Sequence, residues 1–362
     1  MKVKELLSVL INSSEKAARI ARLCRSNQDL FSLLIEEKTG QDKNERFFQD
    51  FKTLADVIIQ ELIKSDVGML FPKLKDNIKG EESNKFENTL GEQIYVEIEN
   101  EEKTFSILMR ILDQNESIAK ELTNEIHRKV IVEEEFNFSD SDLNQEIDEN
   151  NISIWIDPID ATQEYISANE QQSPFKNIMT SGLQCATVLI GTYLKSSGEP
   201  LLGIINQPFA VRQDNGEYKS KIFYGISLND LKFSNVIHEN NPLSTSEKKL
   251  AIISSSEAFK SNLFECCVAA GAGYKALKVI QKHADIYYLS KNSTFKWDTC
   301  AAQAILRSFG GDIVELNSSV KLKKSIPLSY KDDEEKCNQN GLIAFIDIED
   351  FNKLVDEMHA NF

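Results

Sequence analysis

The run Trp155-Ile156-Asp157-Pro158-Ile159-Asp160-Ala161-Thr162 constrains this chain more than any other. It places two carboxylates and a hydroxyl close together, directly after an apolar stretch, Ile152 to Ile156, that reads as a strand. Proline cannot donate to a ladder and restricts the residue before it, so the strand is expected to end at Asp157-Pro158 and turn. Asp160 followed by Gln163 fits a capping box, which predicts that the turn feeds a helix. Asp157, the Ile159 carbonyl, Asp160 and Thr162 would then crowd one strand-to-helix corner. Oxygen ligands at such a corner suit a hard divalent cation.

Periodicity gives the rest of the layout. Leu6, Leu7, Leu10, Ala17, Ile20 and Leu23 predict a helix over 3–25, and Leu54, Val57, Ile58 and Leu62 a second over 54–63. Residues 94–98 alternate as a strand, 104–127 read as helical, and the acidic stretch 133–150 reads as an exposed, mobile loop. Beyond the corner, 183–193, 201–205 and 221–225 read as strands. From Leu250 strands and helices alternate. A strand ends at Ile252-Ile253, followed by a short helix over 262–269 and another over 274–281. Then come a strand over 286–289, a helix over 298–309 closed by Gly310-Gly311, a strand over 342–346 and a last helix over 348–359. Segment 317–340 is polar and reads as a surface loop. This is an α/β tail behind an α+β front half.

Composition narrows the function classes. With 362 residues, 41% hydrophobic and 27% charged, the chain suits a soluble globular protein of one large or two ordinary domains. No apolar run is long enough to span a bilayer, and the charges in Met1 to Leu7 sit too close to the apolar residues for a secretory signal. A cytosolic location is expected. The six cysteines (Cys24, Cys185, Cys266, Cys267, Cys300, Cys337) form no CxxC pattern and read as free thiols in a reducing compartment. A net charge of −16 argues against nucleic-acid or anionic-membrane partners. A phosphate substrate would need bound metal and local lysines to reverse the potential at its site.

Three further segments carry candidate ligands: Asp50 to Asp56, the turn Gly80-Glu81-Glu82-Ser83, and Lys296-Trp297-Asp298. Singly, each has a plainer reading: solvated glutamates in a turn, an N-capping aspartate, turn-forming aspartates beside a proline. Jointly they resemble the lithium-sensitive, magnesium-dependent phosphomonoesterase superfamily of inositol monophosphatases, bisphosphate nucleotidases and inositol polyphosphate 1-phosphatases. Its D-P-[IL]-D-x-T pattern stands as Asp157 to Thr162, its G-E-E turn as Gly80-Glu81-Glu82, and its late W-D as Trp297-Asp298. The inositol polyphosphate branch is the most similar, on segments 14–22, 33–38, 50–56, 80–84, 182–185, 205–209 and 271–275.

The resemblance implies stacked α-β-α-β-α layers, with an N-terminal antiparallel-sheet half (1–228) and a C-terminal α/β half (229–362). It implies two to three magnesium ions. Glu81 and Asp157 would bridge two of them, the Ile159 carbonyl would complete the first site, Asp160 and Asp298 the second, and Glu82 would hold a weaker third. Asp56 would accept from the Thr162 hydroxyl, leaving the Thr162 oxygen to take a proton from the attacking water. Asp160, Ala161, Thr162, Ser256, Gly271, Ala272 and Lys275 would meet the substrate, Lys275 at its second phosphate; backbone N–H groups at Gly271-Ala272-Gly273 would favour an anion. Two departures stand out: relatives carry serine where Ala161 stands and lysine where Ala258 stands. The implied reaction removes the 1-phosphate of inositol 1,4-bisphosphate and inositol 1,3,4-trisphosphate in a monomer inhibited by lithium. The alternatives are a 3′(2′),5′-bisphosphate nucleotidase with the same metal chemistry and a non-catalytic inositol-phosphate binding protein.

Overall fold

The computed structural model describes residues 1–26, 31, 35–37, 51–88, 90–132, 144–238, 248–331 and 335–360. Two sheets organise them. The first comprises β1 (Ile78–Gly80), β2 (Ile152–Asp160), β3 (Thr187–Leu194), β4 (Pro200–Arg212), β5 (Tyr218–Leu228) and β6 (Leu231–Ser234), in the order β6-β5-β4-β3-β2-β1. Its pairs are antiparallel except β1 with β2, which run parallel. The second comprises β7 (Lys249–Ile253), β8 (Phe264–Val268), β9 (Ile286–Leu289), β10 (Asp312–Glu315) and β11 (Leu342–Phe345), in the order β8-β7-β9-β11-β10.

The period of two along each strand sorts the core into three slabs. Ile152, Ile154 and Ile156 of β2 face α1 (Val3–Ser26) and α2 (Leu54–Leu70). Trp155, with Leu189 and Tyr193 of β3, faces the opposite way, into α6 (Ala272–Ile280) and α7 (Lys296–Ser308). Those two helices also pack on Leu250, Tyr287 and Leu342 of the second sheet. The far face of that sheet (Ala251, Ile286, Ile343) meets α8 (Leu316–Leu322) and α9 (Ile348–Ala360). The result is the expected α-β-α-β-α stack. Peripheral helices α3 (Glu101–Ile111) and α4 (Glu116–His127) occupy the predicted helical span, and α5 (Thr162–Ser167) follows β2.

α7 lies unusually close to the first sheet. Gly191, Gly203 and Gly225 are register neighbours across β3, β4 and β5. A Cβ at Gly203 would lie 1.9 Å from the Ala301 carbonyl oxygen, and one at Gly191 2.5 Å from the Ala301 nitrogen. Only glycine admits a helix backbone at that approach.

Several expectations need correction. β2 does not stop at Asp157-Pro158 but runs to Asp160, with a register shift between Asp157 and Asp160. Asp157 faces Leu189 and Asp160 faces Thr187, so β2 carries one extra residue there and Pro158 sits at a bulge. α5 is not capped by Asp160. Its N-cap is Ala161, in the left-handed region at φ 66°, with no side-chain cap bond. The predicted helix at 262–269 is β8, paired parallel with β7; a short apolar run has no period that separates strand from helix. Segment 317–340 opens with α8 rather than loop. The boundary expected at 228 falls inside the first sheet, which ends with β6 at Ser234. Residues 133–143 of the acidic loop lie outside the described residues. All six cysteines are free, and no helix among the described residues is long and apolar enough to cross a membrane.

Candidate active site

β1 and β2 end side by side because they run parallel. The Glu81 N–H donates to the Ile156 carbonyl at 3.1 Å, which carries Glu81 out of the sheet beside Asp157. From the other direction α7, seated on the glycine row, presents its first turn. Asp298 there accepts from the Phe295 N–H at 2.6 Å, so its own helix N-terminus helps to hold it. One carboxylate oxygen from each of Asp157, Asp160 and Asp298 comes within 4.8 Å of the others.

Such a cluster resists ionisation without a counter-charge. Burial, and then the charges of Glu81, Asp160 and Asp298, push Asp157 well above the usual carboxylate range. Asp298 is also pushed well up, by burial and then by Asp160 and Glu81. Among the described residues, buried Asp157 Oδ1 has no hydrogen-bond donor, and the charge and side chain of Asp298 both add to the upward push on Asp157. A buried carboxylate oxygen that faces other carboxylates and has no donor has the chemistry of a cation ligand. An all-oxygen set of this kind fits magnesium better than a metal that favours His or Cys.

Asp160 is anchored differently. Its Oδ1 accepts from Ala272 N–H at 3.1 Å, and its Oδ2 accepts from Gly273 N–H at 2.9 Å and from Thr187 Oγ1 at 3.1 Å. The amides expected to receive a substrate anion are therefore committed to the protein's own carboxylate. Gly271 makes the approach possible: at φ 75°, a Cβ would lie 2.8 Å from the Cys185 carbonyl and 3.1 Å from Asp160 Oδ2. Lys275 is buried, donates from Nζ to the Gly271 carbonyl at 2.7 Å, and stands 5.2 Å from the Tyr287 ring centroid. Burial lowers it to about 8, opposed by the charge of Asp160. In this position Lys275 balances Asp160 rather than reaching towards solvent. Ser256 sits in an exposed turn after β7.

The expected Thr162–Asp56 hydrogen bond is not formed. Thr162 Oγ1 donates to the Ile159 carbonyl at 3.0 Å. Asp56 Oδ2 accepts from Thr53 N–H at 2.6 Å and Thr53 Oγ1 at 2.7 Å, closing a capping box at the start of α2. Asp56 is buried; Tyr165 of α5 is pushed well up, by burial first and then by the charges of Cys24 and Asp56.

Two buried residues near the centre had no motif to announce them. Thr187 binds Asp160, and Gln60 binds the backbone of Glu82 through both ends of its amide. Gln60 follows Asp56 by one helical turn, the only sequence signal that pointed to it.

A family model described as the inositol monophosphatase family matches residues 108–344. The inositol polyphosphate 1-phosphatase of Mus musculus is 42% identical over 339 residues, covering 88% of this chain and 85% of the mouse protein. That of Homo sapiens is 40% identical over 381 residues, covering 95% of this chain and 94% of the human protein. Among solved structures, extragenic suppressor protein SuhB from Bartonella henselae shares the fold, with a TM-score of 0.51 at 13% identity over 97% of this chain and 98% of that one.

Proposed function

The chain belongs to the inositol monophosphatase family, and on that premise we propose that it is a phosphoric monoester hydrolase of inositol phosphates that removes the 1-phosphate of inositol 1,4-bisphosphate and inositol 1,3,4-trisphosphate. The observation that carries the reading is the buried triad Asp157, Asp160 and Asp298, with Glu81 beside it, in a chain whose relatives bearing that activity's name match it nearly end to end.

Glu81, Asp157, the Ile159 carbonyl, Asp160 and Asp298 would hold two magnesium ions, and Glu82 a third. Magnesium, when bound, supplies positive charge against the phosphoryl oxygens and lowers the pKa of water. The remaining work belongs to the chain. Burial raises Asp160 above the usual carboxylate range; the charge of Lys275, the α6 amides and Thr187, which fix it in place, work against that shift. Thr162, its proton directed at the Ile159 carbonyl, keeps its oxygen lone pairs available to orient the attacking water. Asp56, bound to Thr53 rather than to Thr162, would be the buried carboxylate that supports loss of the water's proton. The reaction needs no covalent enzyme intermediate. Ala161 and Thr162 border the substrate, with Ser256 further out, while Gly271, Ala272 and Lys275 act behind Asp160. We place the protein in the cytosol, as a monomer inhibited by lithium.

The test is phosphate release with magnesium from inositol 1,4-bisphosphate, inositol 1-phosphate and adenosine 3′,5′-bisphosphate, each with and without lithium. Preference for the inositol bisphosphate, with inhibition by lithium, is expected. Preference for the nucleotide would move the protein to the nucleotidase branch.

A further inference from the structure

We propose that Gln60 is the positioning residue for the Glu81–Glu82 side of the metal centre, acting through the backbone of Glu82; the inference rests on the metal-centre reading above.

β1 ends at Gly80, and Glu81 makes the last bond to β2. Glu82 has left the ladder but remains buried, so its N–H and C=O need partners that the sheet no longer provides. Gln60, fully buried on α2, supplies both. Its Nε2 donates to the Glu82 carbonyl at 2.6 Å, and its Oε1 accepts from the Glu82 N–H at 3.0 Å. A primary amide is well suited to this reciprocal pair, because it offers a donor and an acceptor side by side as a strand backbone does.

The same contact explains the glycine of the G-E-E turn. A Cβ at Gly80 would lie 1.8 Å from Gln60 Oε1 and 2.6 Å from its Cδ. Gly80 has no positive φ to require glycine, so the amide itself excludes a side chain there. Gln60 lies one turn beyond Asp56 on α2, so one helix face both holds the carboxylate proposed for proton transfer and fixes the turn that carries Glu81 and Glu82. Moving that turn would move Glu81 relative to Asp157.

Both tryptophans of the chain flank the centre: Trp155 is two residues from Asp157, Trp297 adjoins Asp298, and their rings stand 5.9 Å apart. Tryptophan fluorescence therefore offers a readout of metal binding that is independent of turnover. Magnesium would be titrated into wild type, Gln60→Met, Gln60→Glu, Gly80→Ala and Leu354→Ala. Leu354 lies in the core slab on the far side of the second sheet, so its truncation is a stability control. The expected result is a rise of about 10-fold or more in half-saturating magnesium for the Gln60 and Gly80 variants, and none for Leu354→Ala. The double variant Gln60→Ala/Gly80→Ala should be no worse than Gln60→Ala alone, because truncating the amide removes the clash. Should Gln60→Met not fold, Gln60→Glu keeps the side-chain shape and the acceptor for the Glu82 N–H while losing the donor. Unchanged half-saturation in the folded Gln60 variants, or additive effects in the double variant, overturns the inference. Absence of a magnesium response in wild type overturns the metal-centre reading instead.

Discussion

Asp56 and Asp298 have different proposed roles, and their amide variants should separate them. Asp56→Asn keeps the shape and size of the side chain but removes the carboxylate that Thr53 holds. Turnover should fall about 10²–10⁴-fold with magnesium binding largely kept, as steady-state kinetics and a fluorescence titration would report; a wild-type kcat would remove Asp56 from proton transfer. Asp298→Asn should instead raise the magnesium needed for half-maximal rate by about 10-fold or more, read from a rate-versus-magnesium curve. Three residues beyond Lys275 on α6, Lys278 is a second buried lysine. It is 6% exposed, donates to Gln281 Oε1 at 2.9 Å, and burial lowers it from 10.5 to about 8, with Lys221 adding to the shift. Folding therefore releases its proton between about pH 8 and 10.5, and stability gained from this group rises with pH through that window. Below it the charged form costs on the order of 3 kcal/mol. Lys278→Met should melt higher than wild type at pH 7, and the difference should narrow by pH 10. An advantage that does not change with pH would mean that the gain is packing alone. The clustered carboxylates were legible in the sequence because the chemistry fixes their types and spacing. The Thr162 bond and the capture of Asp160 by α6 were not, since both depend on where the backbone places an oxygen or an amide.

At the scale of elements, α7 links packing to chemistry. Its seat on Gly191, Gly203 and Gly225 sets how far Asp298 reaches towards Asp157. A methyl at Gly203 must push the helix away, so Gly203→Ala should lose about 1–3 kcal/mol and raise the magnesium requirement together. Gly216, at φ 86° with nothing within 4 Å of a Cβ, is the control. Gly216→Ala should lose about 1 kcal/mol and leave the magnesium requirement unchanged. Denaturant melts paired with metal titrations distinguish the cases; a Gly203→Ala variant with normal magnesium dependence would disconnect the glycine row from the site. The long helices α1, α2 and α9 were readable from their 3.6-residue period, α7 from its opening aspartate and closing Gly310-Gly311, and β3 to β5 from their apolar runs. β8 was not, because Phe264 to Val268 is too short and too mixed to choose between periods. Nor was the bulge at Pro158, where the proline signals a broken ladder without saying whether the strand resumes.

Across the whole molecule, two sheets and three helical layers bring Asp157 and Asp160 from one sheet and Asp298 from the helix between the sheets to a single point, with Glu81 near enough for its charge to act on Asp157 and Asp298. The stack of layers followed from the family resemblance more than from periodicity, which orders elements along the chain but does not pair them in space. The most direct measurement is phosphate release from inositol 1,4-bisphosphate as magnesium is titrated, with the product identified by phosphorus NMR. Loss of the 1-phosphate that rises with magnesium, stops with a chelator and disappears in Asp157→Asn is the predicted result. Release indifferent to magnesium, or unaffected by Asp157→Asn, would contradict a carboxylate metal centre as the seat of the reaction.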